Sequence, residues 1–256
     1  MDSGKKTINH VEIRKILPVQ DGYRMPGEYE PHRGCILIWP ERPGSWRNGA
    51  REAKKAFADV IRAIAKSEEV YLAASGKTFS EAEKLAQRLQ TDEALYPIRV
   101  FTAETDDAWA RDVGPTFVTD GQEVRGINWE FNAWGGTEDG LYASWEKDNR
   151  FAPFFCEKEG YTWYDARPFV LEGGSVHSDG EGTVMVTESC LLSKGRNPDL
   201  TKEEIRTLSK DLGLSTWDKP SYACLLTRFP YDKTIDEKAL GIVGLAEGYM
   251  IEQGYG

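Results

Sequence analysis

The sequence predicts an α/β fold, and three observations predict it. Over the first hundred residues short apolar runs alternate with stretches of 3.6-residue periodicity, the pattern of strands joined by helices. Beyond residue 115 the runs shorten and come in pairs around Asp-Gly turns, the pattern of hairpins. At 256 residues, 40% apolar and 29% charged, the chain can build one sizeable core, or a core with a small appendage.

Residues 1–24 form a polar leader. Residues 34–39 (GCILIW) read as a buried strand stopped by Pro40. A helix follows over 48–66, with Ala53, Phe57, Val60, Ile61 and Ile64 on one face. Residues 70–74 give a second strand. Ser80 with Glu83 forms a capping box for a helix reaching about residue 90, and 98–102 is a third strand. Strands 116–118 and 124–131 flank the Asp120-Gly121 turn. A glycine-containing aromatic loop covers 132–142, and a helix is expected over 144–158 despite Pro153. Short strands follow at 161–164, 170–171, 175–177 and 183–187, the last two joined through DGEG. Thr201 with Glu204 is a further capping box, opening a helix that Gly213 closes. From residue 218 the chain is rich in Gly, Pro and Tyr and predicts a tail, 218–256, with no clean strand or long helix.

Composition excludes several classes. A net charge of −10 with no basic cluster argues against nucleic acid and against anionic membranes. The longest purely apolar run, 35–39, is far short of a membrane span. No apolar stretch follows the basic residues of MDSGKKTINHVEIRK, so no secretory signal is expected. Cys35, Cys156, Cys190 and Cys224 show no CxxC spacing, which fits reduced thiols in a cytoplasmic protein. His10, His32 and His177 stand at no ligand spacing with a cysteine, so neither a metal nor another cofactor is expected.

The chemistry concentrates in residues 105–115, TDDAWARDVGP. Three carboxylates, an indole and a guanidinium share one short loop opening onto a strand. A carboxylate takes paired N–H bonds from the edge of a flat cation, and a ring quadrupole attracts its face. The three-residue offset in WARD can turn Trp109 and Asp112 toward one pocket, with Arg111 bracing the loop through Asp106 or Asp107. The plainer alternative is an acid-capped turn with Arg111 pairing at the surface. A second acid, Glu172, lies in LEGGSVH, an apolar setting where a charge is costly unless partnered. Its paired glycines let the backbone approach a ligand closely; the plainer alternative has Glu172 capping their amides. Two carboxylates on one guanidinium would fix its plane and leave its carbon open to attack.

Five segments in order, MPGEYEPH, DDAWARDVGPTFV, NWEFNAWGG, LEGGSVHSDGEGT and CLLSKGRNP, resemble the agmatine deiminase family, related to bacterial peptidyl-arginine deiminases. The similarity covers residues 25–217. The resemblance implies a pentein-like α/β-propeller of ββαβ repeats, here partial and incomplete at its C-terminal end. It implies hydrolysis of agmatine to N-carbamoylputrescine and ammonia, in putrescine biosynthesis, without a cofactor. In that family a cysteine thiolate attacks the guanidinium carbon and a histidine shuttles the proton. The resemblance makes Asp112 and Glu172 the catalytic and substrate-binding carboxylates, with Trp109 lining the guanidinium pocket.

The departures weigh as much. The family histidine belongs to a Gly-His-x-Asp segment and the nucleophile to a His-Cys segment; neither is present here, and no histidine follows His177. His177 matches a hairpin histidine of the family, Cys190 a cysteine without a catalytic role, and Cys224 falls in the unmatched tail. The nucleophile is therefore unassigned, and no turnover of agmatine is expected from this chain. Three functions stay open on the residues: a deiminase-family chain, agmatine- or peptidyl-arginine-type, lacking its catalytic end; a non-catalytic guanidinium binder; and a carbohydrate site using a carboxylate pair among the tryptophans. The expected partner is a small cation such as agmatine, and a homo-oligomer is compatible with the sequence.

Overall fold

The computed structural model of the protein describes residues 13–14, 16–91, 93–211 and 236–253. Contacts divide the chain into two compact units, Met1–Thr201 and Lys202–Gly256. The first unit opens with strand β1 (Ile13–Arg14) and β2 (Gly34–Ile38), then α1 (Arg51–Ile64), β3 (Glu69–Ala74), α2 (Phe79–Leu89) and β4 (Ile98–Thr102). A one-turn helix α3 (Ala110–Val113) leads into β5 (Thr116–Thr119) and β6 (Val124–Glu130). After α4 (Gly136–Asp139) and α5 (Phe151–Glu159) come β7 (Trp163–Val170), β8 (Val176–Ser178), β9 (Val184–Val186) and α6 (Glu188–Leu192).

The expected α/β alternation is present. Strands β2, β3 and β4 form a parallel sheet in that order, with Cys35 opposite Val70 and Val70 opposite Ile98. Val70, Leu72 and Ala74 of β3 pack with Ile61 of α1 and Ala82 and Leu89 of α2. The alternate residues, Tyr71 and Ala73, join Phe101, Phe151 and Phe155 on the other face. Both faces are covered, so β3 reads as a continuous apolar run rather than an alternating one.

Strands β5 and β6 pair antiparallel, β6 and β7 pair parallel, and α5 makes the crossover, which is one ββαβ unit. Their sheet runs β1-β7-β6-β5, and β8 pairs with β9 in a separate hairpin. Among the described residues no sheet closes on itself. The β5–β6 turn is the one read from the sequence: Asp120 Oδ1 accepts from the amides of Gln122 and Glu123, both at 2.8 Å, and Gly121 takes φ +92°.

Several expectations are corrected. The first helix begins at Arg51 because Asn48, Gly49 and Ala50 have φ of +52°, +63° and +62°, which no helix accommodates. No Ser80 capping box forms: α2 starts at Phe79, and Ser75 organises the preceding turn, accepting from the Lys77 amide at 3.2 Å and donating to Glu41 at 2.8 Å. The helix expected from 144 begins at Phe151, after a 3-10 turn at Asp148–Arg150. Pro153 is then its third residue, where an amide has no intrahelical partner to lose. The separate strands at 161–164 and 170–171 are one strand, β7, shifted in register between Asn128 and Glu130.

The second unit contains helix α7 (Lys202–Asp211) and helix α8 (Glu237–Glu252). The 16-residue α8 overturns the expectation of a tail without a long helix; EKALGIVGLAEGYMIE has enough Ala, Leu, Glu and Ile to carry its three glycines. Gly213 and Cys224 lie outside the described residues. Among those described, no helix is long and apolar enough to cross a membrane.

Cys156 on α5 is 1% exposed, and burial raises its thiol to about 12. It should resist a disulfide reagent at about pH 8 until the protein unfolds, since the thiolate is the reacting form. Labelling of Cys156 in folded protein, read by peptide mass, would contradict this packing.

Candidate functional site

The acidic loop is braced from α5's side of the molecule, not by Arg111. Asp148 is fully buried, and its Oδ1 accepts from the amides of Asp106 at 2.7 Å and Asp107 at 3.2 Å. Its Oδ2 accepts from Tyr142 at 2.7 Å. Burial outweighs these donors and raises the Asp148 carboxyl to about 6. In return Asp106 Oδ2 accepts from the Lys147 amide at 2.9 Å. Asp107 is consumed likewise: Trp46 Nε1 donates to it at 2.7 Å, the Ala108 amide at 2.8 Å, and Ser45 Oγ also bonds it. Two of the loop's three carboxylates are thus structural, which leaves Asp112.

Arg111 points elsewhere than expected. It pairs with Glu28, and its Nε donates to Gly173 O at 3.0 Å. Arg111 first, then the charges of His177 and His32, hold the Glu28 carboxyl below its ordinary range. The MPGEYEPH segment is thereby tied to α3, a link no local pattern announces. His177 is exposed on β8 opposite Met185.

Asp112 is half-buried on α3 and accepts from the Gly174 amide at 2.9 Å. Burial raises its carboxyl; hydrogen bonds from Gly174 and Trp134 and the charges of Arg111 and Arg196 work against that. The double glycine makes a close approach within the chain itself. A Cβ at Gly173 would lie 2.1 Å from Arg111 O, and one at Gly174 would lie 2.5 Å from Asp112 Oδ1. These glycines let the 173–175 turn close on α3, and so bring Asp112 beside the chain that carries Glu172.

Glu172 caps no glycine amide. It is 2% exposed, and Arg196 Nε donates to its Oε1 at 2.6 Å. Among the described residues its buried Oε2 has no partner. Since Arg196 also acts on Asp112, the structure brings both carboxylates into the field of one guanidinium, the chain's own. Trp109 lies against two other indoles. Its ring meets Trp134 edge-on, centroids 5.3 Å apart, and Trp46 lies 6.1 Å away; among the described residues its buried Nε1 has no partner. Trp134 and Arg196 were missed by sequence reasoning as site residues, although NAWGG and GRNP both stood out as motifs.

Cys190 is half-buried on α6. Among the described residues no group of three or more His, Cys, Asp or Glu could hold a metal ion.

Fold and geometry together describe an α/β protein in which Arg196 acts on both Asp112 and Glu172. Comparison with known proteins makes the class specific. The family model of the Porphyromonas-type peptidyl-arginine deiminases matches residues 24–217, and the chain belongs to that family. A Listeria monocytogenes protein provisionally named agmatine deiminase 2 is 50% identical over 198 residues, 77% of this chain and 52% of its own length. One from Selenomonas ruminantium, provisionally named agmatine deiminase, is 50% identical over 197 residues, with the same shares. The solved agmatine deiminase of Enterococcus faecalis is 44% identical with a TM-score of 0.70, over 78% of this chain and 53% of that one. The chain spans about half the length of the curated relatives it matches.

Proposed function

We propose that this chain carries the guanidinium-binding half of an agmatine deiminase. In the reaction proposed for the whole protein, a nucleophile adds to the guanidinium carbon, ammonia leaves, and water releases N-carbamoylputrescine, feeding putrescine synthesis in the cytoplasm. Asp112 and Glu172 are the carboxylates that hold the guanidinium by its edges, and Trp109 covers its face. Residues 25–217 are the deiminase-like portion, a partial pentein propeller of which the β5–β6–α5–β7 unit is one repeat, followed by a separate segment, 218–256.

One observation carries the reading: Glu172 is buried with Oε2 unpartnered. An acceptor so placed is costly to the fold unless a donor comes to it. A cationic N–H donor satisfies that need, and the positive edge of a guanidinium supplies several. The names and identities of the relatives support agmatine over a peptide substrate. These residues bind and orient; none of them is a nucleophile. The segments that supply the thiol and the proton-shuttling histidine have no counterpart in the 256 residues, so we propose binding without turnover for this chain.

Titration calorimetry tests this. Agmatine should bind the parent protein, bind more tightly than an Nα-blocked argininamide, and lose roughly 10- to 100-fold in affinity in Glu172→Gln and in Asp112→Asn, since charge-assisted hydrogen bonds contribute about 1.5–3 kcal/mol each. No binding by the parent would end the proposal. Ammonia release above background that Asp112→Ala abolishes would overturn the absence of turnover.

A further inference from the structure

Arg196 is held from several sides before it reaches Glu172. Asn132 Nδ2 donates to Gly195 O at 2.8 Å, fixing the residue before it. Asn197, the residue after it, accepts from the Val170 amide at 3.0 Å and donates to the carbonyls of Val170 and Leu191, each at 2.9 Å. Arg196 Nη1 donates to Ser193 Oγ at 3.3 Å. The side chain is 13% exposed. A long, flexible cation has thus been given one place, which removes much of its conformational freedom in advance.

The contact it makes from that place is incomplete. An arginine paired with a carboxylate frequently takes both oxygens in a parallel fork. Here Nε donates to Oε1 at 2.6 Å, and among the described residues Oε2 has no partner. One oxygen is tied and the other left bare, although both are buried.

We propose that Arg196 is a positioning residue for the guanidinium site: by holding Oε1 of Glu172 it fixes the plane of the carboxylate and leaves Oε2 for the incoming cation. This rests on the binding role given to Glu172 above. Burying a lone carboxylate is expensive, and a fixed countercharge lowers that cost before any ligand arrives. The ligand then meets an acceptor already oriented, so less of its binding energy goes into ordering the site. Arg196 itself touches no substrate atom in this scheme.

The test compares the parent with Arg196→Ala, Arg196→Lys, Glu172→Gln and the Glu172→Gln/Arg196→Ala double variant, with agmatine calorimetry and thermal melts, each with and without added methylguanidinium. Arg196→Ala should bind agmatine roughly tenfold or more weakly. Arg196→Lys should recover only part of the loss, because an ammonium restores charge without the planar fork. In the Glu172→Gln background, removal of Arg196 should cost little further affinity. Methylguanidinium should raise the melting temperature of Arg196→Ala more than that of the parent or the double variant, by filling the vacated place beside Glu172. Agmatine binding unchanged or tightened in Arg196→Ala would overturn the proposal, the latter by making Arg196 a competitor. Equal rescue of the double variant would overturn it too, since the cation would then act without Glu172. If Glu172→Gln alone leaves affinity intact, the binding role of Glu172 fails instead, while the melts still report separately whether Arg196 and Glu172 are coupled.

Discussion

Asp148→Ala should lower the unfolding free energy by about 3 kcal/mol and loosen the loop that delivers Trp109 and Asp112. Three donors depend on this fully buried carboxylate: the amides of Asp106 and Asp107 and the hydroxyl of Tyr142. Alanine leaves them all without an acceptor, and each unsatisfied buried group costs about 1–3 kcal/mol before water or local movement relieves part of it. The penalty should also depend on pH. Burial raises the Asp148 carboxyl from 3.8 to about 6, so between those values the folded state binds the proton that the unfolded chain does not. Stability from this group is therefore fullest at low pH and is lost as pH rises through 6. The gap between parent and variant should be wider at pH 5 than at pH 7.5, by about 1 kcal/mol. Urea unfolding at the two pH values checks both statements. A gap that is the same at the two pH values would mean that Asp148 is ionised throughout and that its donors outweigh its burial.

Asp148 also shows where sequence reasoning runs out. Asp112, Glu172 and Trp109 could be singled out as candidates because each stands in a compact motif whose residue types suit a cation. The parallel strands were legible because full burial leaves a short, unbroken apolar run, as in β3. Asp148 stands in an ordinary polar stretch, WEKDNR, and its importance arises only when tertiary packing buries it 41 and 42 residues from the amides it accepts. Arg111 misled for the same reason. The acids expected to pair with it were Asp106 and Asp107, but these were already taken by Trp46, Ser45 and the 147–148 backbone. That left Glu28, 83 residues away, as its partner. Helix α8 was hidden by its glycines, which weigh against a helix one by one but do not outweigh the sixteen-residue sum.

Gly173→Ala should damage the site more than loss of either carboxylate, with agmatine affinity falling by roughly 100-fold or more. The reason is steric rather than conformational. Gly173 is absent from the glycines with positive φ, so alanine suits its backbone. Its Cβ, however, would stand 2.1 Å from the carbonyl oxygen of Arg111, and a backbone oxygen cannot swing aside as a side chain can. The 173–175 turn and α3 must separate, at a cost of about 1–3 kcal/mol or more for such overpacking. Asp112 follows Arg111 directly, and Glu172 precedes Gly173 directly, so one added methyl group shifts both ends of the proposed clamp. Misplacement by about 1 Å is enough to cost two orders of magnitude in an oriented site. Gly121→Ala provides the control: its φ of +92° makes the change strained, but nothing lies within 4 Å of the new Cβ. That variant should lose roughly 1 kcal/mol of stability and keep its affinity. Calorimetry on the two variants, beside urea melts to separate folding from binding, decides the matter. If Gly173→Ala binds agmatine as the parent does, the α3 contact does not set the spacing of Asp112 and Glu172, and the two carboxylates do not act as a pair.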